Sequence, residues 1–384
     1  MKRLERIKAT ILKNETHRLG DYIREVNVRN RELKVTEPMG INIDKHFMPS
    51  VANVIGTDLS TYKLVSKNQF ACNLMHVGRD EKIPMAMQTN DNPIIVSPAY
   101  FVFEVTKPDE LLPEYLMMWF CRKEFDRNAW FYTDADVRGG LDKEALMDMQ
   151  LPVPNNERQR EIVSEYETLT HRIRLNEQMI EKLEATAQAL YRKTFVDNID
   201  KQNLPQGWYL GILGEVVECH DSKRRPVAGY DREKMDASKK IYPYYGAAAL
   251  MDYVDDYIFD GDYILMGEDG TVINEDNTPV VQYVRGKFWV NNHAHILKGK
   301  NGFDENLLYL ILKNADVHEL VTGGVQAKIN QENMMKIPVT IPPKNILGNL
   351  KEQMSPVFHA IYLKQQENNK LTELQSLLLA KMGQ

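Results

Sequence analysis

One sequence feature constrains this chain more than any other: an internal repeat of two copies, since a fold built by repetition is settled by its repeating unit. MQLPVP at 149–154 lies over IPVTIP at 337–342, an offset of 188 residues. Just upstream, GLDKEALMD (140–148) lies over KINQENMMK (328–336) at the same offset. Apolar positions coincide: Leu141 with Ile329, Leu146 with Met334, Met147 with Met335, Leu151 with Val339, Val153 with Ile341. Near the start of each copy Leu19-Gly20-Asp21 matches Leu213-Gly214-Glu215. Each copy reads as an irregular α/β unit, then a short alternating strand, then proline, then a long helix.

The helices carry a heptad seam. In the first, Ile162, Tyr166, Leu169, Ile173, Asn176, Ile180, Leu183, Ala187 and Leu190 follow steps of 4, 3, 4, 3 for about four heptads. Adding 188 gives Leu350, Met354, Val357, Ile361, Lys364, Asn368, Leu371, Gln375 and Leu378, the same seam with polar residues in its middle. Asn176 and Lys364 are equivalent, and a polar seam residue gives up stability for register. Pro152, Pro154, Pro342 and Pro343 stop each strand and precede each helix. Leu204-Pro205-Gln206-Gly207 breaks the chain before the second unit. A helix of about 38 residues is roughly 57 Å long, and its apolar stripe needs a partner. Pairing the two helices, antiparallel if a pseudo-twofold relates the repeats, buries both seams and sets two heads at a fixed separation. The fold class expected is mixed α/β (α+β): two irregular domains separated by a long antiparallel two-helix coiled coil. The expected divisions are an N-terminal helical segment over 1–16, a first domain over 17–154, a helix over 155–200, a second domain over 201–343, and a helix over 344–384.

Charge enters here as an objection. The net charge of −6 argues mildly against a nucleic-acid ligand. Its distribution answers in part: residues 1–34 hold ten Lys/Arg against five Asp/Glu, and 223–240 hold seven cations against three acids. Acids gather between Asp252 and Asp276. No apolar run approaches the roughly 20 residues of a membrane span. The basic N-terminus lacks the apolar stretch of a signal peptide. Cys72, Cys121 and Cys219, odd in number and far apart, form no disulfide framework or zinc set and fit a reducing cytoplasm.

Asp91-Asn92-Pro93-Ile94 lacks the second proline and the aromatic of an adenine methyltransferase motif and reads as a turn. No GxxxxGK[ST] or glycine-rich cofactor loop occurs. His293 and His295 have metal-like spacing but no evident third ligand, and Asp252, Asp255, Asp256, Asp260 and Asp262 lack the spacing of a calcium loop. Both read as structural, and no metal site is expected. Leu116-Met117-Met118-Trp119-Phe120 reads as core.

With these residues in view, the layout resembles the specificity subunit of type I restriction–modification systems. GGVQAKINQENMMKIPVTIPP (323–343) is similar to the segment that closes a target recognition domain there, as is RGGLDKEALMDMQLPVPNNERQREIV (138–163). Gly267-Glu268-Asp269-Gly270 after Tyr263–Met266 resembles the family's strand-and-glycine turn. One departure is the start of the second helix: the family's Glu-Gln pair usually follows the prolines closely, but here Glu352-Gln353 come late.

The resemblance implies a non-catalytic DNA reader for DNA modification and restriction. Residues 17–154 and 201–343 would each grip a half-site of an asymmetric bipartite duplex target, mainly in the major groove. Two methyltransferase subunits would supply S-adenosylmethionine and flip an adenine. Two restriction/translocase subunits would use ATP and Mg2+. This chain would bind none of these cofactors. DNA-contact candidates are Arg79, Lys82 and Arg138 in the first domain, and Lys223, Arg224, Arg225, Lys239, Lys240 and Tyr244 in the second. Each is weighed against a plain surface cation or ion-pair partner. Two other readings stay open: a coiled-coil scaffold binding proteins, and a specificity subunit serving an orphan methyltransferase. A single-chain restriction–methylation enzyme is disfavoured by the missing motif.

Overall fold

The computed structural model describes residues 16–51, 56–75, 77–133, 139–197, 199–324 and 326–382, with the backbone alone for Gly78 and Arg79. The helical segment expected over 1–16 lies outside these residues except for Thr16, which opens a strand. Two compact units emerge. One contains the described residues up to Leu175 together with those from Glu367; the other runs from Asn176 to Gln366. The division therefore falls inside both long helices, Asn156–Phe195 and Lys344–Lys381, and does not set them apart as a third body. The second helix starts directly after Pro343, which settles the point the late Glu352-Gln353 left open.

In the first unit, Thr16–Arg18 pairs antiparallel with Gln150–Pro152. A four-stranded sheet has the order Ile23–Glu25, Phe101–Val105, Gln69–Cys72, Met85–Met87. A second has the order Phe47–Pro49, Pro38–Ile41, Ile94–Val96, Lys63–Val65. The helix Pro113–Phe120 opens on proline at its first turn, where no N–H is needed, and buries Leu116, Met118, Trp119 and Phe120. Its apolar face meets Phe70 and Phe103, whose rings stack 5.0 Å apart. Asp91 and Asn92 form a bend ahead of the strand Ile94–Val96, as expected of a turn.

In the second unit, Tyr209–Ile212 pairs antiparallel with Pro338–Ile341. A six-stranded sheet has the order Val217–Cys219, Ala294–Gly299, Phe259–Gly267, Val281–Val290, Tyr242–Tyr245, Leu250–Val254. The helix Glu305–Lys313, capped by the Asp304 carboxylate on the Leu307 N–H, packs Leu307, Leu308 and Ile311 into the core.

The repeat is visible bond by bond. Leu19 N–H donates to the Met149 carbonyl and Leu213 N–H to that of Ile337. Leu141 N–H donates to the Leu74 carbonyl and Ile329 N–H to that of Glu268. Within each unit the seam residues are the less exposed ones of the long helices. Between residues 164 and 186 the positions that escape full exposure are those of the heptad, with Asn176 buried among them. In the first unit Ile162 and Tyr166 meet Leu378 and Met382, Gln375 Nε2 donates to Thr170 Oγ1 at 2.7 Å, and Arg172 pairs with Glu367 at 2.6 Å. In the second, Leu183, Ala187 and Leu190 share a core with Leu350, Met354, Val357 and Ile361. Early residues of one helix meet late residues of the other, so the pairing is antiparallel. Among the described residues no helix is long and apolar enough to cross a membrane.

Candidate nucleic-acid interface

The three consecutive cations of the second unit are divided by the fold. Strand Val217–Cys219 ends in a 3-10 turn, Asp221–Lys223, and the chain then extends through Arg224. That geometry turns Arg224 inward. Its guanidinium pairs with Glu268, lies 3.4 Å from Asp221, and donates to the Asn292 and Ala294 carbonyls at 3.2 and 3.0 Å. With all three guanidinium nitrogens engaged, Arg224 is an anchor and not the DNA-contact residue expected from the sequence. Lys223 and Arg225, on either side, are exposed.

The loop is held by bonds that use neither exposed cation's side chain. Trp289 Nε1–H donates to the Arg225 carbonyl at 2.5 Å. Val227 N–H donates to the Tyr244 hydroxyl at 3.0 Å. Tyr244 is therefore another correction: at 1% exposure it supports the loop from beneath and lines no groove. The Arg232 guanidinium stacks 4.7 Å from the Tyr244 ring centroid and pairs with Asp252 at 3.0 Å. Lys240 pairs with the same carboxylate at 3.0 Å, so its charge is largely spent within the unit. Lys239 is exposed, 3.9 Å from Asp236. Ile241, and Met251 and Tyr253 of the hairpin Tyr242–Tyr245/Leu250–Val254, are 64%, 56% and 46% exposed.

A second loop meets the first through Glu268. Thr322 and Lys328 exchange backbone hydrogen bonds at 2.8 Å, and Gly323 at their turn has φ 93°, where a Cβ would collide with the Gln326 carbonyl. Gly270 N–H donates to the Ala327 carbonyl at 2.9 Å. The Lys328 ammonium sits 3.1 Å from Asp269 and 3.4 Å from Glu268, and both carboxylates raise its pKa, Asp269 chiefly. The Gly-Glu-Asp-Gly turn thus joins both loops, a role the sequence motif did not disclose.

Behind them lies His295, fully buried. Its Nδ1 is 2.6 Å from Asp221 and its Nε2 2.8 Å from the Ile329 carbonyl. Burial alone would raise the Asp221 carboxyl, yet the His295 ring, the Ile296 N–H and Arg224 together hold it below the usual carboxylate range. Cys219, Asp221 and His295 place ligand-type atoms within 4.8 Å of one another, but those of Asp221 and His295 are engaged in hydrogen bonds with each other, the Ile296 N–H and the Ile329 carbonyl. The Arg224 guanidinium already supplies the local positive charge. The cluster is a polar clamp, and burial pushes the Cys219 thiol up to about 12. His293, by contrast, stands outside the strand Ala294–Gly299, 3.8 Å from Asp269. Of the acidic run, Asp252 and Asp262 face Arg232, Lys240 and Arg285, while Asp255, Asp256 and Asp260 are exposed.

In the first unit Lys82 is part-exposed, 3.9 Å from Asp44. Arg138 and the side chain of Arg79 lie outside the described residues. Glycines 139 and 140 follow, with Gly139 at φ 56°. A buried pair, Lys45 with Asp126 at 2.7 Å, ties the turn at Lys45 to the helix Lys123–Phe131 where no candidate had been placed.

Comparison with known proteins adds the following. Residues 205–373 match the family model described as the type I restriction modification DNA specificity domain. A putative type I restriction enzyme specificity subunit of Haemophilus influenzae is 34% identical over 134 residues, 35% of this chain and 33% of that protein. The alignment therefore spans about a third of that relative's length. The type I restriction enzyme MjaIX specificity subunit of Methanocaldococcus jannaschii is 23% identical over 313 residues, 71% of this chain and 69% of that one. The crystal structure of the type I restriction–modification S subunit from M. genitalium aligns over 97% of this chain and 98% of its own, with TM-score 0.57 and 13% identity, a likeness of fold.

Proposed function

We propose that the chain is a type I restriction–modification specificity subunit, the non-catalytic address reader of such a complex, recognising an asymmetric bipartite duplex target; the match of residues 205–373 to the DNA specificity domain supports this. The observation that carries this reading is the pairing of equal frameworks with unequal surfaces. Both units share the bonds from Leu19 to Met149 and from Leu213 to Ile337. Only the second places the Lys223–Arg225 loop on that framework. Two different surfaces on one repeated scaffold read two different half-sites, so the target has no palindrome.

Exposed cations would meet phosphates and fix orientation, while side chains at the loop rims would read base edges. The charge of the anchors is neutralised inside the unit, which reconciles local DNA affinity with a net charge of −6. Two methyltransferase subunits would bring S-adenosylmethionine and perform adenine methylation. Two restriction/translocase subunits would bring ATP and Mg2+ chemistry. This chain holds none of these groups in the proposed assembly, which works in the cytoplasm.

The test is co-expression with the methyltransferase subunit of the same system, followed by long-read mapping of methyladenine. One asymmetric, gapped motif is expected, and exchanging residues 205–343 for those of another member should alter one half of it. An active partner that leaves no gapped motif would sink the proposal and favour a protein-binding scaffold.

A further inference from the structure

We propose that His295 is the positioning residue that locks the cationic loop at 221–227 and the loop carrying Gly323 and Lys328 into one DNA-facing edge of the second unit. The inference rests on the DNA-reading function proposed above and adds a device to it.

Both ring nitrogens are engaged: Nε2 lies 2.8 Å from the Ile329 carbonyl and Nδ1 2.6 Å from Asp221 Oδ2. The other Asp221 oxygen accepts from Ile296 N–H at 2.9 Å, and the Arg224 guanidinium stands 3.4 Å from Oδ2. The charged groups of the cluster are Asp221 and Arg224 from the first loop, Glu268 and Asp269 from the glycine turn, and Lys328 from the second loop.

The ring is also the mechanical link. Through Asp221 it grips the turn that projects Lys223 and Arg225. Through the Ile329 carbonyl it grips the end of the loop that carries Gly323 and Lys328. Glu268, 3.7 Å from Nδ1, receives Arg224 from one loop and Lys328 from the other. Truncating the ring removes its ties to both loops at once.

The first unit lacks the device. Ile23 pairs with Val105 there as Val217 pairs with Gly299 here, a displacement of 194 at both partners (217 − 23 and 299 − 105). The same displacement puts Phe101 in place of His295, Leu74 in place of Glu268 and Asn27 in place of Asp221. The effect of His295 is therefore confined to one half of the target.

The experiment uses the full chain with its methyltransferase subunit. Equilibrium binding to a duplex carrying the mapped motif is measured at fixed pH and salt for the natural chain, for His295→Gln and for His295→Ala, together with the melting temperature of each complex. H295A is expected to bind about tenfold or more weakly, the scale of a hydrogen bond to a charged group lost, and its methylation motif should blur in one half alone; H295Q, which can keep one of the two ties, should fall between H295A and the natural chain. Should H295A fail to fold, H295Q decides the matter: a motif blurred in one half supports the clamp, and a motif sharp in both halves overturns it. Folded variants with natural affinity on an intact gapped motif also overturn it, while leaving the address-reader function standing. Absence of any gapped motif strikes that underlying function instead.

Discussion

Replacing Lys223 and Arg225 together by alanine tests whether the exposed pair meets phosphate. Neither side chain makes a hydrogen bond or ion pair among the described residues, and the loop is held instead by Trp289, Tyr244 and the Arg224 anchor. The double variant should therefore keep its melting temperature, since exposed substitutions stay within about 0.5 kcal/mol. Its binding should change in a defined way. Each cation that neutralises a phosphate contributes about 0.9 to the slope of log affinity against log salt, so two contribute about 1.8. Between about 50 and 200 mM salt, a fourfold step, the natural complex should then lose about 12-fold more affinity than the variant (four raised to the power 1.8). Fluorescence anisotropy on labelled duplex at several salt concentrations measures both slopes. Equal slopes for two folded complexes would refute the phosphate assignment. Arg224→Met supplies the contrast: it strands Asp221 and Glu268 and should destabilise the second unit by about 3–5 kcal/mol in urea unfolding. A melting loss in the double variant as large as that of R224M would refute the division of labour along the loop.

Two further outcomes follow from the packing. Ile361→Ala, at a buried seam position, should cost about 2–5 kcal/mol, whereas Leu363→Ala, half exposed two residues on, should cost under about 0.5; chemical denaturation of both variants distinguishes a buried seam from a loose one. Glu104 accepts from Gln69 at 2.8 Å and pairs with Arg24 at 2.6 Å, and these partners, Gln69 foremost, hold its carboxyl below the usual range. Its contribution is thus present above the unfolded-state pKa and lost as pH falls through the lower folded value. Glu104→Gln should flatten the acid limb of first-unit stability, measured by unfolding at stepped pH below 6, and an unchanged limb would count against the pair.

Much of this was legible from the chain because it is periodic. A 3.5-residue repeat of apolar positions names its own buried face, so Ile162 through Leu190 and Leu350 through Leu378 could be assigned without coordinates. The 188-residue offset likewise announced two equal frameworks, and the shared bonds to Met149 and Ile337 are its physical form. The charged site obeys no such period. Lys223, Arg224 and Arg225 are chemically alike and adjacent, and only the extended backbone after the 3-10 turn decides that the middle one points inward. Tyr244 looked like a groove residue because aromatics beside cations often are, yet its place in the sheet buries it.

The clamp was hidden for a related reason. Asp221, Glu268, His295 and Lys328 are scattered over more than a hundred residues, and none is remarkable by type or spacing. What the sequence alone determined was the scaffold, since burial of apolar area follows local periodicity. What only the tertiary structure decided was which charges are spent inside the second unit and which remain for a ligand. Ion pairing falls steeply with distance and depends on burial, and both are set by strand register and not by order along the chain.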